Sequence, residues 1–425
     1  PVQILSQPWL SIVAPIAMRK LTELTHRSPR FILTFDEAVL GLGSTYKFRA
    51  IPRGTSPGFP YRYESTNGKT KYFGDGANYD LNLDACEELR DRVQHVLDKA
   101  RKGVRLSHIF VDFLKDELRA PEKVREGATR LISSAPLDYT IAWRMMFGAF
   151  SSAVMQNHTN SGMAPGICCY SDWTALRLFL GEISVDKCFD GDFKRFDSSE
   201  QPMIHAYLLD YINGWYSDSE ENQLARRVLW EDLVHSRHIG GDGTDMRYIY
   251  QWNKSLPSGH PFTTIVNSMY SLFLMVAAYK VCTSADLQSF WNEVRALTYG
   301  DDNIASVSSR IYGLYNQATV SAALEKEFAV LYTAGDKSGS LGTVKPMNEL
   351  SFLKRGIRVS DMEDVMFGMH AGVTMAPLEL ESFLYTCYWC KNKKFQAQIE
   401  KDVLDNALQE LSLHAPSVWQ KYSPT

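Results

Sequence analysis

The chain has 425 residues, of which 45% are hydrophobic and 22% charged, a composition typical of a globular protein with a large core. Its formal net charge of -4 excludes nucleic-acid binding through bulk positive charge, so such a partner would need a local basic groove. Seven cysteines, an odd number without regular spacing, favour free thiols over a disulfide framework. The longest apolar stretch, 265–279, contains Asn267 and is too short for a membrane span, so it predicts a buried helix and no transmembrane segment.

The first segment with a clear pattern is a rigid turn at residues 55–60, with the sequence TSPGFP. Its two prolines fix φ, Gly58 permits the close approach of another segment, and Thr55 and Ser56 offer hydroxyl groups. An ordinary loop could have the same composition. Further on, residues 83–102 carry apolar side chains at helical spacing and predict an amphipathic helix.

Residues 115–132 form a segment in which basic and acidic side chains alternate. Because Lys123 and Arg125 share parity, a strand would present both on one face, and Arg130 follows the flexible Gly127. The alternative is a solvated strand and loop in which the charges form ion pairs.

The run 185–193 is typical of a strand, and its parity sets Asp190 and Asp192 on one face. Asp197 follows five residues after Asp192, where a helix is expected to begin. Asp197 could serve there with Glu200 as a helix cap, or it could act in a site. Residues 203–230 predict helix, and 231–255 predict a polar insert with strands.

Ser258 and Gly259 belong to a loop that leads into the apolar helix. Thr263 and Asn267 are four residues apart, so a helix directs both to the same side. Polar groups on an apolar helix need partners because burial without hydrogen bonds costs free energy. Those partners could be backbone carbonyls or a ligand.

Residues 299–303, Tyr-Gly-Asp-Asp-Asn, lie between two short apolar runs and predict a β-hairpin with Asp301 and Asp302 at its tip. Adjacent carboxylates repel each other, so the pair suggests a divalent metal, although Gly-Asp-Asp is also an ordinary turn sequence. Later loops bring Lys337 and then Lys354 with Arg355, which follow the apolar Phe352 and Leu353.

In this order, the motifs resemble the RNA-dependent RNA polymerases of picornavirus-like positive-strand RNA viruses (Picornavirales), with an insect-infecting iflavirus or dicistrovirus as the narrower expectation. The resemblance covers residues 55–356 and rests on seven motifs: TSPGFP, KDELR with its downstream basic residues, DFKRFD, SG followed by T and N, YGDD, DKS and FLKR. Each motif alone is common, and the ordered series makes the resemblance specific.

The resemblance implies an α+β fold shaped as a right hand, with fingers, a palm of antiparallel sheet flanked by helices, and a thumb. The implied division is fingers at 1–149, palm at 150–228, a fingers insert at 229–256, palm with the catalytic hairpin at 257–361, and thumb at 362–425. Pro1 and the short segment before residue 55 lead us to expect a piece of a longer precursor.

The resemblance also implies a site and its cofactors. Asp192, Asp301 and Asp302 would hold two Mg²⁺ ions, with Mn²⁺ as a substitute, and Asp302 is the least certain of these ligands. Lys337 would be the general acid for the leaving pyrophosphate. The remaining positions divide into nucleotide-binding residues (Lys123, Arg130, Asp197, Ser258, Gly259, Thr263, Asn267) and RNA-binding residues (Thr55, Ser56, Gly58, Pro60, Lys354, Arg355).

Three positions depart from the family pattern. Ala128 stands where the family has a basic residue, so neutralisation of the triphosphate would rest on Lys123 and Arg130, with Arg125 as a further candidate. Pro261 and Phe262 replace small residues in the SG loop, which puts the mobility of that loop in question.

The expected partners are an RNA template and primer and nucleoside triphosphates, and the resemblance also admits a small genome-linked protein as primer. The expected location is the host cytoplasm, at membrane-associated viral replication complexes. Two alternatives stay open: a reverse transcriptase, which shares the palm and its aspartates, and a non-catalytic RNA-binding remnant of the fold. Asp197 and Asn267 can hydrogen-bond a 2′-hydroxyl, which favours ribonucleotides, and the intact aspartates argue against loss of chemistry.

Overall fold

The computed structural model describes residues 7–117, 121–240, 248–335, 341–388 and 396–423. Contacts divide the chain into two compact units. The N-terminal unit consists of Gln7–Ser161 and Arg195–Phe273, and the hairpin unit contains Gly162–Lys194 and Leu274–Thr425. This division does not test the five predicted segments of fingers, palm and thumb, which stay a prediction.

Helices dominate the described part of the chain. In chain order they are α1 Val13–Ala17, α2 Arg19–Thr25, α3 Phe35–Leu40, α4 Thr70–Phe73, α5 Asp84–Arg101, α6 Pro121–Arg125, α7 Leu137–Gln156, α8 Trp173–Gly181, α9 Phe196–Ser199, α10 Pro202–Tyr216, α11 Glu220–Val234, α12 Thr263–Thr283, α13 Phe290–Glu293, α14 Gln317–Phe328, α15 Met362–Met366, α16 Leu380–Leu384, α17 Gln396–Leu411 and α18 Pro416–Tyr422.

The strands in the described ranges are short. They are β1 Ile109–Leu114, β2 Leu131–Ser134, β3 Cys188–Lys194, β4 Arg237–Gly240, β5 Tyr248–Gln251, β6 Val294–Tyr299, β7 Asp302–Val307, β8 Leu331–Thr333, β9 Arg358–Val359 and β10 Thr374–Met375.

The N-terminal unit contains a four-stranded sheet in the order β2-β1-β4-β5. Strand β1 pairs with β2 antiparallel and with β4 parallel, and β5 pairs antiparallel with β4. Helix α5 buries Leu89, Val93, Val96 and Leu97 along one side, which confirms the predicted amphipathic helix. Strands β4 and β5 likewise confirm strands in the predicted polar insert.

One local prediction in this unit was wrong. Residues 121–125 form helix α6, so Lys123 and Arg125 do not share the face of a strand. Pro121 opens the helix, where its missing N–H costs no hydrogen bond because the first amides of a helix have no intrahelical acceptor.

The hairpin unit is built around a second four-stranded sheet in the order β6-β7-β3-β8, in which all neighbours are antiparallel. Strands β6 and β7 form the predicted hairpin, with Tyr299 opposite Asp302 as its last pair. Gly300 opens the two-residue turn with φ 63°, a conformation that glycine adopts without steric cost.

Helix α12 supplies residues to both units. Within the described residues it alone has the length and apolarity to cross a membrane, and 83% of its apolar window is buried inside the protein. Burial of this kind is typical of a core helix, in agreement with the prediction for this segment.

Candidate active site

The pairing of β3 with β7 brings two of the predicted metal ligands to neighbouring strands. Gly191 lies opposite Asn303 in this ladder, and one residue further along each strand come Asp192 and Asp302. Both of these aspartates are half-buried. Asp301 lies in the hairpin turn and is exposed. The strand register therefore associates Asp192 with Asp302, whereas the sequence ranked Asp301 first.

The carboxylates of Asp192, Asp301 and Asp302 suit a magnesium ion that keeps waters and substrate phosphates among its ligands. No group of three His, Cys, Asp or Glu side chains that could hold a metal ion is found in the described residues, so a preformed protein cage is absent there. Mg²⁺ is usually bound by one or two carboxylates and completes its octahedron with waters and substrate phosphates. Neighbouring carboxylates at Asp192 and Asp302, with Asp301 beside them, fit that mode.

Asp190 is separated from this set although it shares strand β3. Its carboxylate is fully buried: Oδ2 accepts from Lys345 Nζ at 2.9 Å and from the Ser351 amide at 2.7 Å, whereas Oδ1 has no partner among the described residues. An oxygen held by a lysine and a backbone amide is occupied by its own protein. The salt bridge to Lys345 agrees with Asp192, rather than Asp190, as the ligand that the resemblance implies.

A tyrosine stabilises the hairpin from the other side of β3. The Tyr332 hydroxyl, from β8, donates to Asn303 Oδ1 at 2.7 Å, and Asn303 Nδ2 donates to the Asp301 carbonyl at 3.3 Å. The ring fits because position 191 is glycine: a Cβ there would lie 2.0 Å from Tyr332 Cζ. Gly191 thus clears the space through which Tyr332 supports the turn that carries Asp301.

The proposed general acid, Lys337, lies outside the described residues.

In the N-terminal unit, Asp197 and Asn267 contact each other directly. Asn267 Nδ2 donates to Asp197 Oδ1 at 2.7 Å, and the Asp197 carbonyl accepts from the Leu256 amide at 3.1 Å. Asn267 is 6% exposed, and its Oδ1 finds no donor among the described residues. A buried acceptor without a donor is costly, so this oxygen suits a hydroxyl group of a ligand.

The alternative role of Asp197 as a cap with Glu200 was wrong. Asp197 lies inside the short helix α9, and α10 begins after Gln201. Glu200 is completely buried and contacts His205 Nε2 at 2.7 Å. Burial and the nearby Asp197 raise the pKa of Glu200, while burial lowers the pKa of His205 to about 3, so this pair is a neutral hydrogen bond.

Thr263 does not join the Asp197 pair. Its hydroxyl lies 2.9 Å from both the Pro257 and the His260 carbonyls, so it closes the loop that contains Ser258 and Gly259. The Thr263 hydroxyl is therefore satisfied by backbone carbonyls, which was one of its two predicted alternatives. The Ser258 carbonyl accepts from the Ser133 amide at 2.6 Å, which ties this loop to β2.

The predicted triphosphate-binding cations are exposed, and one of them is paired. Arg130 Nε donates to Glu117 Oε1 at 2.6 Å, and Lys115 lies 3.3 Å from the same carboxylate. The hydrogen bonds from Arg130, helped by Lys115, lower the pKa of Glu117 to about 2. Lys123 is exposed on α6. An anionic ligand of Arg130 would compete with Glu117.

The turn at 55–60 is held by a buried lysine. Lys69 is 5% exposed, and its Nζ donates to the carbonyls of Pro52 at 3.2 Å and Thr55 at 2.9 Å and also contacts the Thr55 hydroxyl. Burial lowers the pKa of Lys69 to about 8. Gly58 has φ 73°, and a Cβ there would lie 2.1 Å from the Ala135 carbonyl oxygen. Of the predicted RNA contacts here, Thr55, Ser56 and Pro60 are exposed and Gly58 is buried.

Lys354 and Arg355 have different surroundings. Arg355 forms two hydrogen bonds of 2.7 Å with Glu410 and a third of 2.9 Å with the Ala376 carbonyl. Lys354 is exposed at the tip of a two-residue turn closed by reciprocal backbone bonds of 2.9 Å between Phe352 and Arg355. The turn residues Leu353 and Lys354 have φ of 56° and 61°. Only Lys354 is presented for an external partner, whereas Arg355 anchors the turn.

Sequence reasoning missed three supporting residues: Tyr332, Glu117 and Lys69. Gly191 between two aspartates was an available signal for Tyr332, because a glycine within a strand often marks the close approach of another group. The ion pairs of Glu117 with Arg130 and Lys115 lie within the segment for which ion pairing was the predicted alternative, although no particular pair was indicated. The partners of Lys69 are mainly backbone carbonyls, which no local pattern indicates.

Comparisons with known proteins agree with these features. The family model for viral RNA-dependent RNA polymerase matches residues 9–423. The chain is 31% identical over 407 residues to a replicase polyprotein of Acute bee paralysis virus, covering 92% of this chain and 20% of the relative. It is 30% identical over 410 residues to that of Cricket paralysis virus, covering 92% and 22%. The chain thus spans about a fifth of the length of these relatives, which are dicistrovirus proteins, one of the two predicted virus groups.

The fold matches a solved structure, the Sicinivirus 3Dpol RNA dependent RNA polymerase, with a TM-score of 0.78 at 22% identity. The match covers 98% of this chain and 80% of that one, and it confirms the predicted α+β polymerase fold. The chain therefore belongs to the viral RNA-dependent RNA polymerase family.

Proposed function

We propose that this chain transfers nucleotides from nucleoside triphosphates to the 3′-hydroxyl of an RNA primer, as directed by an RNA template, and so replicates the genome of a positive-strand RNA virus. One observation carries the proposal. In a chain of this family, Asp192 on β3 and Asp302 on β7 are the next residues of the antiparallel ladder beyond the pair Gly191 and Asn303.

Asp192, Asp301 and Asp302 would hold two Mg²⁺ ions, or Mn²⁺ in their place. When bound, these ions supply Lewis-acid activation of the primer hydroxyl and neutralise the charge of the triphosphate. The protein's own share is to fix the carboxylates. Tyr332 contributes to this by bonding Asn303, which in turn bonds the backbone of Asp301.

Selection of ribose would rest on Asn267 and Asp197. A ribonucleotide 2′-hydroxyl would donate to the unpaired Oδ1 of Asn267, and a deoxyribonucleotide would leave that buried acceptor unsatisfied. This difference favours RNA synthesis over the reverse-transcriptase alternative, in which a bulky residue would be expected to exclude the 2′-hydroxyl.

Arg130 and Lys123 would bind the triphosphate, and Lys337 would protonate the leaving pyrophosphate. Because Arg130 is paired with Glu117, the triphosphate would take the place of that carboxylate as the partner of the guanidinium. Ser258 and Gly259 would line the nucleotide, Thr55 to Pro60 the template, and Lys354 the primer strand.

We further propose that the protein acts in the host cytoplasm at membrane-associated replication complexes and that it uses a small genome-linked protein as primer.

The test is primer extension by the purified chain with Mg²⁺ or Mn²⁺, an RNA template-primer and ribonucleoside triphosphates. Asp301→Asn should abolish incorporation without lowering the melting temperature. Asp405→Asn is the matched control, because it makes the same charge change at an exposed position of α17 in the same unit. Equal activity of Asp301→Asn and the wild type would refute the site assignment. Absence of incorporation by a folded wild-type chain would favour the RNA-binding remnant.

A further inference from the structure

A row of four buried or half-buried polar side chains crosses the entire sheet of the N-terminal unit. Ser133 on β2 lies opposite Asp112 on β1, and His238 on β4 lies opposite Tyr250 on β5. Ser133, Asp112 and His238 are at most 5% exposed. Each of the four strands therefore contributes one member to a continuous polar row.

The Asp112 carboxylate is the acceptor that joins the row. It accepts from Ser133 Oγ at 2.6 Å and from His238 Nδ1 at 2.9 Å on one oxygen, and from the Tyr250 hydroxyl on the other. Burial acts to raise the pKa of Asp112, but the bonds from His238, Ser133 and Tyr250 together hold it below its usual range. Asp112 is thus an anion with three donors, one from each other strand.

A charge is a costly way to stabilise a sheet. Well-packed apolar side chains stabilise an interior at least as well as a buried ionic group, and the distinct contribution of polar groups is to specify one register. Strand β2 has only four residues, lies at the edge and pairs only with β1, as β5 does with β4 at the other edge, so few backbone bonds fix its register. Ser133 is the member that ties β2 to the anion.

Strand β2 connects two parts of the proposed nucleotide site. Arg130 precedes it directly, and the Arg130 carbonyl accepts from the Lys115 amide at 2.8 Å. The Ser133 amide donates to the Ser258 carbonyl at 2.6 Å, and a Cβ on Gly259 would lie 2.9 Å from the Ser133 carbonyl oxygen. A shift of β2 would therefore displace both the guanidinium of Arg130 and the Ser258–Gly259 loop.

We propose that Asp112 and Ser133 are positioning residues for the nucleotide: the buried anion fixes β2 through the Ser133 hydroxyl, and β2 fixes Arg130 and the Ser258–Gly259 loop. The proposal rests on the proposed function. Neither residue contacts the reacting atoms, so their removal should weaken nucleotide binding more than it slows the chemical step.

The chain offers a matched pair of variants. Ser133→Ala and Tyr250→Phe each remove one hydroxyl donor from the same carboxylate, the first on the side of β2 and the second on the far side of the sheet. Ser133→Ala should raise the KM for nucleoside triphosphate about fivefold and change kcat less than about twofold, because β2 loses the hydrogen bond to Asp112 and the groups that it positions bind the ground state and the transition state alike. Tyr250→Phe should leave KM close to that of the wild type.

Hydrogen exchange supplies a readout that does not need activity. In Ser133→Ala, amides in residues 131–135 should exchange faster, whereas Tyr250→Phe should affect β5 and spare β2. Melting temperatures of both variants report any general loss of stability. The same rise in KM for both variants, or no rise in Ser133→Ala with an active wild type, would overturn the positioning role while the proposed function stands. A folded wild-type chain without incorporation would overturn both.

Discussion

The Tyr332 hydroxyl on β8 donates to Asn303 Oδ1 on β7 at 2.7 Å, across the intervening strand β3. The bond is possible because Gly191, on β3, has no side chain in the path of the ring. The Tyr332 side chain thus passes over β3, the strand of Asp192, and supports the hairpin turn that contains Asp301.

Gly191→Ala should destabilise the protein. The new Cβ would lie 2.0 Å from Tyr332 Cζ, so the ring must move and Asn303 must lose its donor. We expect a loss of about 1–3 kcal/mol in the free energy of unfolding, typical of overpacking, measured by denaturant titration. Gly313→Ala is the control in the same unit, because nothing lies within 4 Å of a Cβ there. Equal stability of the two variants would contradict the account of Tyr332.

Asp190→Asn and Asp192→Asn should fail in different ways. The first removes the charge partner of Lys345 from the interior and should lower the free energy of unfolding by about 1–3 kcal/mol. The second should abolish nucleotide incorporation and leave the melting temperature close to that of the wild type. Primer extension and thermal unfolding of both variants check this separation. Loss of incorporation in a fully stable Asp190→Asn would indicate a catalytic role for Asp190.

Asn267→Ala should reduce the preference for ribonucleotides over deoxyribonucleotides about tenfold, because it removes the unpaired buried acceptor proposed for the 2′-hydroxyl. The measurement is the ratio of kcat/KM for matched ribo- and deoxyribonucleoside triphosphates. Ser271→Ala, one turn further along α12, removes another buried polar atom with no partner among the described residues and should leave the ratio unchanged. The same ratio in Asn267→Ala as in the wild type would remove Asn267 from the ribose site.

Lys354→Ala should weaken binding of a template-primer RNA, because the exposed cation proposed to contact the RNA phosphates is lost. The slope of log K against log salt concentration should become shallower by about one. Arg355→Ala should instead lower the melting temperature, because it leaves Glu410 without its bidentate partner. Affinity measured over a range of salt concentrations, together with thermal unfolding, distinguishes the two. An unchanged salt slope in Lys354→Ala would exclude Lys354 from the RNA contact.

Acidification should destabilise the N-terminal unit through His260. This residue is 3% exposed, packs against Trp143 at 4.5 Å between ring centroids, and has its pKa lowered by burial to about 3. An unfolded histidine takes up a proton near pH 6.5, so below that pH the unfolded state binds more protons and stability falls.

The contribution of His260 should fall by at most about 1.4 kcal/mol per pH unit between about pH 6.5 and pH 3. His260→Phe keeps an aromatic ring in this cluster. Between pH 7.5 and pH 5.5 its melting temperature should fall by less than that of the wild type. A pH dependence identical in the two proteins would show that His260 does not take part.

Much of the proposed metal-binding region could be predicted from sequence because its signals are local. Alternation of apolar and polar residues predicted β3, and a Gly-Asp-Asp tip between apolar runs predicted the β6-β7 hairpin. The relation of Asp192 to Asp302 rather than Asp301 needed the strand register, which no single segment encodes.

Other features depended on partners distant in the chain. Glu200 has the spacing of a cap, yet the fold buries it against His205, and Arg355 is committed to Glu410, 55 residues later. Helix α6 was missed because parity over five residues does not distinguish a single helical turn from a strand. Pairings of this kind arise from tertiary packing, so neither the charge of Arg355 nor its place in the FLKR motif revealed that Glu410 binds it.

The turn at Leu353 and Lys354 holds two consecutive non-glycine residues at positive φ, where hairpin turns prefer Asn-Gly. Each costs about 1–2 kcal/mol relative to a residue suited to that conformation. Lys354→Gly should therefore make the protein more resistant to unfolding while it removes the exposed cation. At position 354, the substitution that would stabilise the fold would therefore also remove the contact with RNA that we propose for Lys354.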